Sequence, residues 1–154
     1  MRISLICVGK LGRGAEATLA LDYAQRAAAI GRSLGISPVE IVEVEARRPG
    51  KAAEAEAILA RLAGARLAAC DEHGATFTSR AFAAHLAALR DDGLRDLALV
   101  IGGAGGLDTL VLEAAAERIA FGPQTWPHAL ARVMLAEQVY RAVSILAGSP
   151  YHRD

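Results

Sequence analysis

The chain has 154 residues, 53% of them hydrophobic, with 17 basic and 17 acidic side chains and a formal net charge of zero at pH 7. That length suits one domain with a sizeable core. Neutrality argues against a non-specific nucleic-acid coat, which needs bulk positive charge, but leaves room for a local basic patch that reads one RNA shape. No run approaches the ~20 apolar residues of a membrane span. The apolar stretch 3–8 is too short for a signal sequence and has no cleavage pattern after it. Cys7 and Cys70 each sit in an apolar run, as buried hydrophobes do, rather than as a disulfide or metal pair. The expectation is a cytoplasmic protein with no membrane partner and no metal.

Residues 3–8 read as a strand ending at Gly9, and a loose loop with Gly12 and Gly14 follows. Lys10 and Arg13 in that loop are solvated charges or substrate contacts. Residues 16–34 have the i, i+3, i+4 spacing of a helix, with Gly35 closing it. Residues 39–45 alternate as a strand nearer the sheet edge does. Arg47-Arg48-Pro49-Gly50-Lys51 is a cationic turn, either solvated surface or a phosphate-contacting loop. Residues 52–62 predict a helix, 65–71 a short strand ending at Asp71-Glu72-His73-Gly74, and 80–90 a helix capped by Thr78 or Ser79.

Residues 97–101 form five apolar residues in a row, the signature of a strand buried on both faces. Gly102-Gly103-Ala104-Gly105-Gly106 ends it. Bare backbone there admits positive φ and close approach, and ligands of open α/β sheets sit outside the carboxyl ends of strands. The turn is a cofactor site or a device that only tightens strand-to-helix packing. It is not a dinucleotide fingerprint, because Asp108 stands where the third glycine belongs, nor a P-loop, because Gly106-Leu107-Asp108 lacks the Gly-Lys-Ser/Thr ending. A helix over 109–117 and a brief strand over 118–121 follow. The repeated βα order predicts an α/β protein with a mostly parallel sheet flanked by helices, as one domain over 1–154.

Gly122-Pro123-Gln124-Thr125-Trp126-Pro127-His128 is a loop by its prolines and glycine. Its backbone is free to read an adenine edge; alternatively Trp126 plugs the core. Residues 129–147 predict the longest helix. Its apolar arc exceeds the ~100° stripe of a helix packed on one core, which calls for a second partner, most commonly a twin subunit. Arg132 falls inside that arc, so it must be paired, for structure or for a substrate or cofactor. The tail Pro150-Tyr151-His152-Arg153-Asp154 is a frayed polar end or a trio able to stack on a base, move a proton and hold a phosphate.

Four motifs in this order carry a resemblance over the whole chain. They are Val100-Ile101-Gly102-Gly103-Ala104-x-Gly106, Thr125-Trp126-Pro127-His128, Arg132-Val133 with Glu137-Gln138-Val139-Tyr140-Arg141-Ala142, and Pro150-Tyr151-His152-Arg153. Together with the opening Val8-Gly9-Lys10, the chain resembles the ribosomal RNA large subunit methyltransferase H family of the SPOUT superfamily. The resemblance implies a SPOUT-type α/β domain with a C-terminal trefoil knot, and S-adenosylmethionine as methyl donor. It implies cofactor contacts at Cys70 or Asp71, at Gly103, and at Gly122, Pro123, Gln124, Thr125, Trp126 and Pro127. It also implies a homodimer in which one tail completes the other subunit's site, and methylation of N3 of a pseudouridine in a 23S rRNA stem-loop on assembled ribosomes. His152 and Arg153 would then assist removal of the N3 proton, with Tyr151 and Arg132 positioning base and tail. The rival readings are a dimeric adenosyl-ligand-binding module without catalysis, and a SPOUT methyltransferase with another RNA substrate. The chain departs from the family at Ala104-Gly105, where Pro-Glu is common, and at Cys70 and Ala75. None of these changes removes a pocket built from backbone.

Overall fold

The computed structural model describes residues 1–153; Asp154, the last residue of the tail motif, lies outside the described residues. The strands are β1 (Arg2–Val8), β2 (Val39–Val44), β3 (Arg66–Thr76), β4 (Asp96–Ile101) and β5 (Glu117–Ala120). The helices are α1 (Ala15–Gly31), α2 (Lys51–Leu59), α3 (Ser79–Asp91), α4 (Thr109–Ala114) and α5 (His128–Leu146). The sheet order is β2-β1-β4-β3-β5, and every strand pairing is parallel. β4 therefore lies at the centre and β2 at an edge, as their residue patterns predict. Among the described residues, no helix is long and apolar enough to cross a membrane.

Alternation along β4 divides the core into two layers. Leu97, Leu99 and Ile101 join Ile3, Leu5 and Cys7 under α1, α3 and α5. Ala98 and Val100 join Ile6 and Val44 under α2 and α4, with Ile58 and Val111. Each large aliphatic side chain fully buried this way contributes ~1.5–3 kcal/mol. The Thr78 hydroxyl accepts from Ala81 N at 3.1 Å and caps α3. Gly35, with φ +70°, closes the short 3-10 turn that extends α1.

Three expectations change. The helix expected over 109–117 stops at Ala114, because Ala116 N donates to Leu67 O at 2.9 Å and pulls the chain onto β3 as β5. β3 does not end at Asp71. Cys70 and Ala75 both face Ile119 of β5, so residues 71–74 bulge out and the strand resumes to Thr76. The bulge rests on Gly74, where a Cβ would come within 2.5 Å of Ile119 N. Finally, much of the wide apolar arc of α5 is covered within the chain, while Leu130 is exposed and Val133, Met134, Ile145 and Leu146 are half-buried. α5 packs on both α1 and α3 as well as on β1 and β4, burying Leu135, Ala136, Val139, Ala142 and Val143. α1 and α3 are thus intramolecular partners for part of the arc, and Leu130 remains 43% exposed.

Candidate functional site

The carboxyl ends of β3, β4 and β5 surround a cavity of about 650 Å³. Three loops converge there, as a parallel sheet requires of segments that leave the same edge. The β3 bulge brings Cys70, Asp71 and Glu72; the β4 turn brings Gly102 to Gly106; the β5 loop brings Gly122, Gln124, Thr125, Trp126 and Pro127. Of the cofactor residues expected from sequence, only Pro123 does not line the wall. Trp126 is 39% exposed, so it flanks the cavity and does not plug the core.

The glycine turn both packs and lines. Gly106 N donates to Gly103 O at 3.0 Å, and Gly106 has φ +77°. A Cβ on Gly102 would come within 2.7 Å of the Gly106 backbone, and one on Gly103 would stand 3.1 Å from the Glu54 carboxylate. The glycines thus let the chain fold back on itself against α2, and the same bare backbone faces the cavity. Gly102→Ala should therefore open the turn. The expected result is a stability loss of ~1–3 kcal/mol by overpacking together with loss of calorimetric binding of S-adenosylmethionine, the ligand that the sequence resemblance implies. Unaltered binding would show that the turn's geometry is irrelevant to the cavity.

The wall's chemistry is specific. Ile101, Leu107, Ile119, Phe121 and Ala131 give it apolar surface, while Asp71 and Glu72 give it carboxylates. Asp71 Oδ1 accepts from His73 N at 3.0 Å, which sets the bulge. No lysine or arginine side chain lines it among the described residues. Such a cavity suits a cationic or neutral nucleoside and disfavours a phosphate-bearing one. Burial pushes the Cys70 thiol well above its ordinary range and raises Cys7 to about 12. Both stay protonated, so neither is a nucleophile at neutral pH.

Arg132 does not line the cavity. It is 2% exposed. Its Nη1 meets Glu43 Oε1 at 2.5 Å, and its Nη2 donates to Val8 O at 3.2 Å and Gly9 O at 2.9 Å. It ties α5 to the ends of β1 and β2. The sequence requirement for a partner is met by Glu43 and two carbonyls.

The tail is folded onto α5, away from the cavity of its own protomer. The Tyr151 hydroxyl donates to Glu137 Oε1 at 3.0 Å, and its ring meets Tyr140 edge-on at 4.5 Å. Tyr140 in turn packs on Tyr23 at 5.7 Å. The Arg141 guanidinium sits 4.8 Å over the Tyr151 ring while its Nε and Nη2 donate to Glu137. Desolvation, followed by hydrogen bonding, drives the Tyr151 hydroxyl far above its ordinary pKa, so it remains a donor at every working pH. Arg141 Nη1 stands 3.2 Å from His152 Nδ1. A guanidinium only donates, so Nδ1 accepts and the ring proton sits on Nε2. In this pose Arg141 occupies Nδ1 of His152, the residue expected from sequence to accept or relay a proton. None of Tyr151, His152 and Arg153 lines the cavity of this protomer.

The family model described as "Predicted SPOUT methyltransferase" matches residues 1–152. Ribosomal RNA large subunit methyltransferase H of Caulobacter sp. (strain K31) is 68% identical over 154 residues, covering all of both chains. The proteins of that name from Phenylobacterium zucineum and Methylocella silvestris are 62% and 52% identical, again over the full length of both chains. The chain belongs to this family of SPOUT methyltransferases. A probable methyltransferase from Bordetella pertussis Tohama I shares the fold with a TM-score of 0.51 at 22% identity, covering 92% of this chain and 96% of that one.

Within this SPOUT methyltransferase, sequence reading missed Glu72, Leu107, Ile119, Phe121 and Ala131 as wall residues. Phe121 carried a signal, as an aromatic residue just before the Gly122 loop. Ile119 carried none, because a short apolar strand reads the same whether it faces a cavity or the core.

Proposed function

We propose that this chain transfers a methyl group from S-adenosylmethionine to N3 of a pseudouridine in a stem-loop of large-subunit rRNA on the assembled ribosome. The observation that carries this reading is the meeting of three bare-backbone loops in one cavity whose charged side chains are carboxylates. An adenosyl group fits the apolar wall, and Asp71 and Glu72 complement its cationic sulfonium and ammonium ends. When bound, that donor supplies an electrophilic methyl carbon, whose bond to sulfur breaks with the electron pair left on sulfur as the new bond to N3 forms.

The protein's share is positional. Loops held by the sheet fix the reacting atoms in line, and such orientation supplies ~7–11 kcal/mol. The imide N3 passes its proton to Nδ1 of His152 once Arg141 has released that nitrogen, and negative charge develops on the ring as the proton leaves. Arg153 and the Nε2–H of His152 are suited to stabilise that charge. His152 becomes a proton acceptor only after Arg141 releases Nδ1. The tail's distance from its own cavity favours completion of the site in trans, by the tail of a second subunit. The proposal therefore includes a homodimer, a single domain over 1–154 and a cytoplasmic location. It also includes the trefoil threading of the C-terminal segment: β5 lies at the sheet edge beyond β3, while α5 crosses back to β1 and β4.

Calorimetry with S-adenosylmethionine and its demethylated product, followed by methyl incorporation into ribosomes lacking the modification, tests the reading. Micromolar binding and one methyl per large subunit at pseudouridine N3 is the expected outcome. Binding without incorporation would make the chain an adenosyl-ligand sensor, and incorporation only into another RNA would change the substrate.

A further inference from the structure

The loops after β1 and β2 lie beside the glycine turn on the same edge of the sheet. They are joined to each other: Gly9 N donates to Val44 O at 2.8 Å, Leu11 N to Glu43 Oε1 at 3.0 Å, and Lys10 Nζ sits 2.8 Å from Glu45. They carry Lys10, Arg13, Arg47 and Arg48, followed by Lys51 at the first residue of α2, and all five are exposed. Lys51 reaches the glycine turn, since a Cβ on Gly105 would stand 3.2 Å from its Cε. Behind this loop a groove of about 610 Å³ runs between the end of β2 and α2, and its charged lining is Arg47, Arg48 and Arg61 with the carboxylates of Glu45 and Glu56, which are engaged by Lys10 and Arg48.

Most of these cations are not neutralised. Glu45 holds Lys10, and Glu56 lies 3.6 Å from Arg48. Arg13, Arg47, Lys51 and Arg61 form no ion pair with a carboxylate among the described residues. In a chain of zero net charge, the six cations Lys10, Arg13, Arg47, Arg48, Lys51 and Arg61 thus outnumber Glu43, Glu45, Glu54 and Glu56 on this edge, next to a cavity whose own wall is acidic. That division of charge separates two ligands. The acidic wall repels phosphate, and the neighbouring groove attracts it. Guanidinium forks match phosphate oxygens two at a time.

We propose that the groove of Arg47, Arg48 and Arg61, continued by Lys51 to the glycine turn, is a track that holds the backbone phosphates of the RNA whose base enters the cavity. The proposal rests on the reading of the chain as an RNA methyltransferase and adds the surface by which the RNA is held. Phosphate contacts set register and orientation and carry no sequence information. The track therefore aligns the strand, and the cavity selects the base.

The test compares wild type with Arg47→Gln/Lys51→Gln/Arg61→Gln, and with Arg32→Gln/Arg95→Gln, which removes exposed cations at the opposite edge. Binding to protein-free large-subunit rRNA is measured from ~50 to ~200 mM salt. Each lost phosphate contact lowers the slope of log K against log salt by about 1, so the triple variant should lose about 2–3 in slope and ~10²-fold in affinity near 0.15 M. The opposite-edge variant should match wild type, and calorimetric affinity for S-adenosylmethionine should be unchanged in all three. A triple variant with the wild-type slope overturns the track, as does a wild type that does not bind the RNA at low salt. So does a triple variant that binds protein-free RNA normally but no longer binds intact subunits, because the surface then docks a ribosomal protein. Methyl incorporation into ribosomes by wild type is read in parallel. Its absence would end the proposed activity, while the salt slope would still decide the track.

Discussion

Truncation after Ser149 should lower methyl transfer by ~10³-fold or more while leaving the affinity for S-adenosylmethionine nearly unchanged. The loss reflects the removal of a proton-handling group and an electrostatic stabiliser together, each of which contributes ~10²–10³-fold in enzymes that use them. The affinity is preserved because the donor's cavity is lined by the β3, β4 and β5 loops and by no residue of the tail. Truncation also strips Tyr151 from Tyr140 and Glu137, so a melting curve must accompany it. His152→Ala separates the two effects, since it keeps the Tyr151 anchor and should still cost ~10²-fold or more. A truncated chain that is folded and fully active would remove the tail from the mechanism. The exchange of subunits has its own readout. Mixing the truncated chain with a chain carrying Gly102→Ala should restore activity to mixed dimers, because one subunit then supplies the cavity and the other the tail.

Arg132→Ala should destabilise the fold by ~3–5 kcal/mol, the range for removing one partner of a buried ion pair. In a domain of this size that lowers the melting midpoint by about 10 °C. The Val8 and Gly9 carbonyls lose their donor, and the guanidinium leaves a hole between α5 and the sheet. Glu43→Gln should cost less, about 1–2 kcal/mol, because Glu43 stands at the rim and water replaces part of what it loses. Arg132→Met restores most of the volume but not the donors, and should fall between the two. Equilibrium denaturation of the three variants orders them. If Arg132→Ala kept wild-type stability yet lost turnover, the residue would touch substrate or cofactor, as the other sequence reading held.

Local pattern carried much of this protein. The run 97–101 is five apolar residues with no polar interruption, which suits a strand covered on both faces. It is the central strand, and its alternate residues feed the two core layers. The glycines after it, the Thr78 cap and the need of Arg132 for a partner were legible for the same reason. Each follows from one residue's own chemistry and its neighbours in the chain. Motif order and spacing brought the family resemblance, and with it the loops that line the cavity.

What stayed hidden depends on residues far apart in sequence. The helix expected over 109–117 was cut short by the hydrogen bond from Ala116 to Leu67, a partner that no local propensity can reveal. The bulge at 71–74 exists because Gly74 lies against β5, and only strand pairing decides that. Much of the apolar arc of α5 is covered because α1 and α3 both reach it, whereas sequence alone counts apolar faces without saying whose surface meets them. The clamp of Glu137 and Arg141 holds Tyr151 against α5 and brings Arg141 to His152, where sequence left the tail open between a frayed end and a functional trio. Composition and periodicity determined the elements and the bare-backbone turn, since those arise from short-range sterics and burial. The tertiary structure alone decided which loops share a cavity, which cations lie beside it, and that His152 meets Arg141, because each of these is a contact closed by folding.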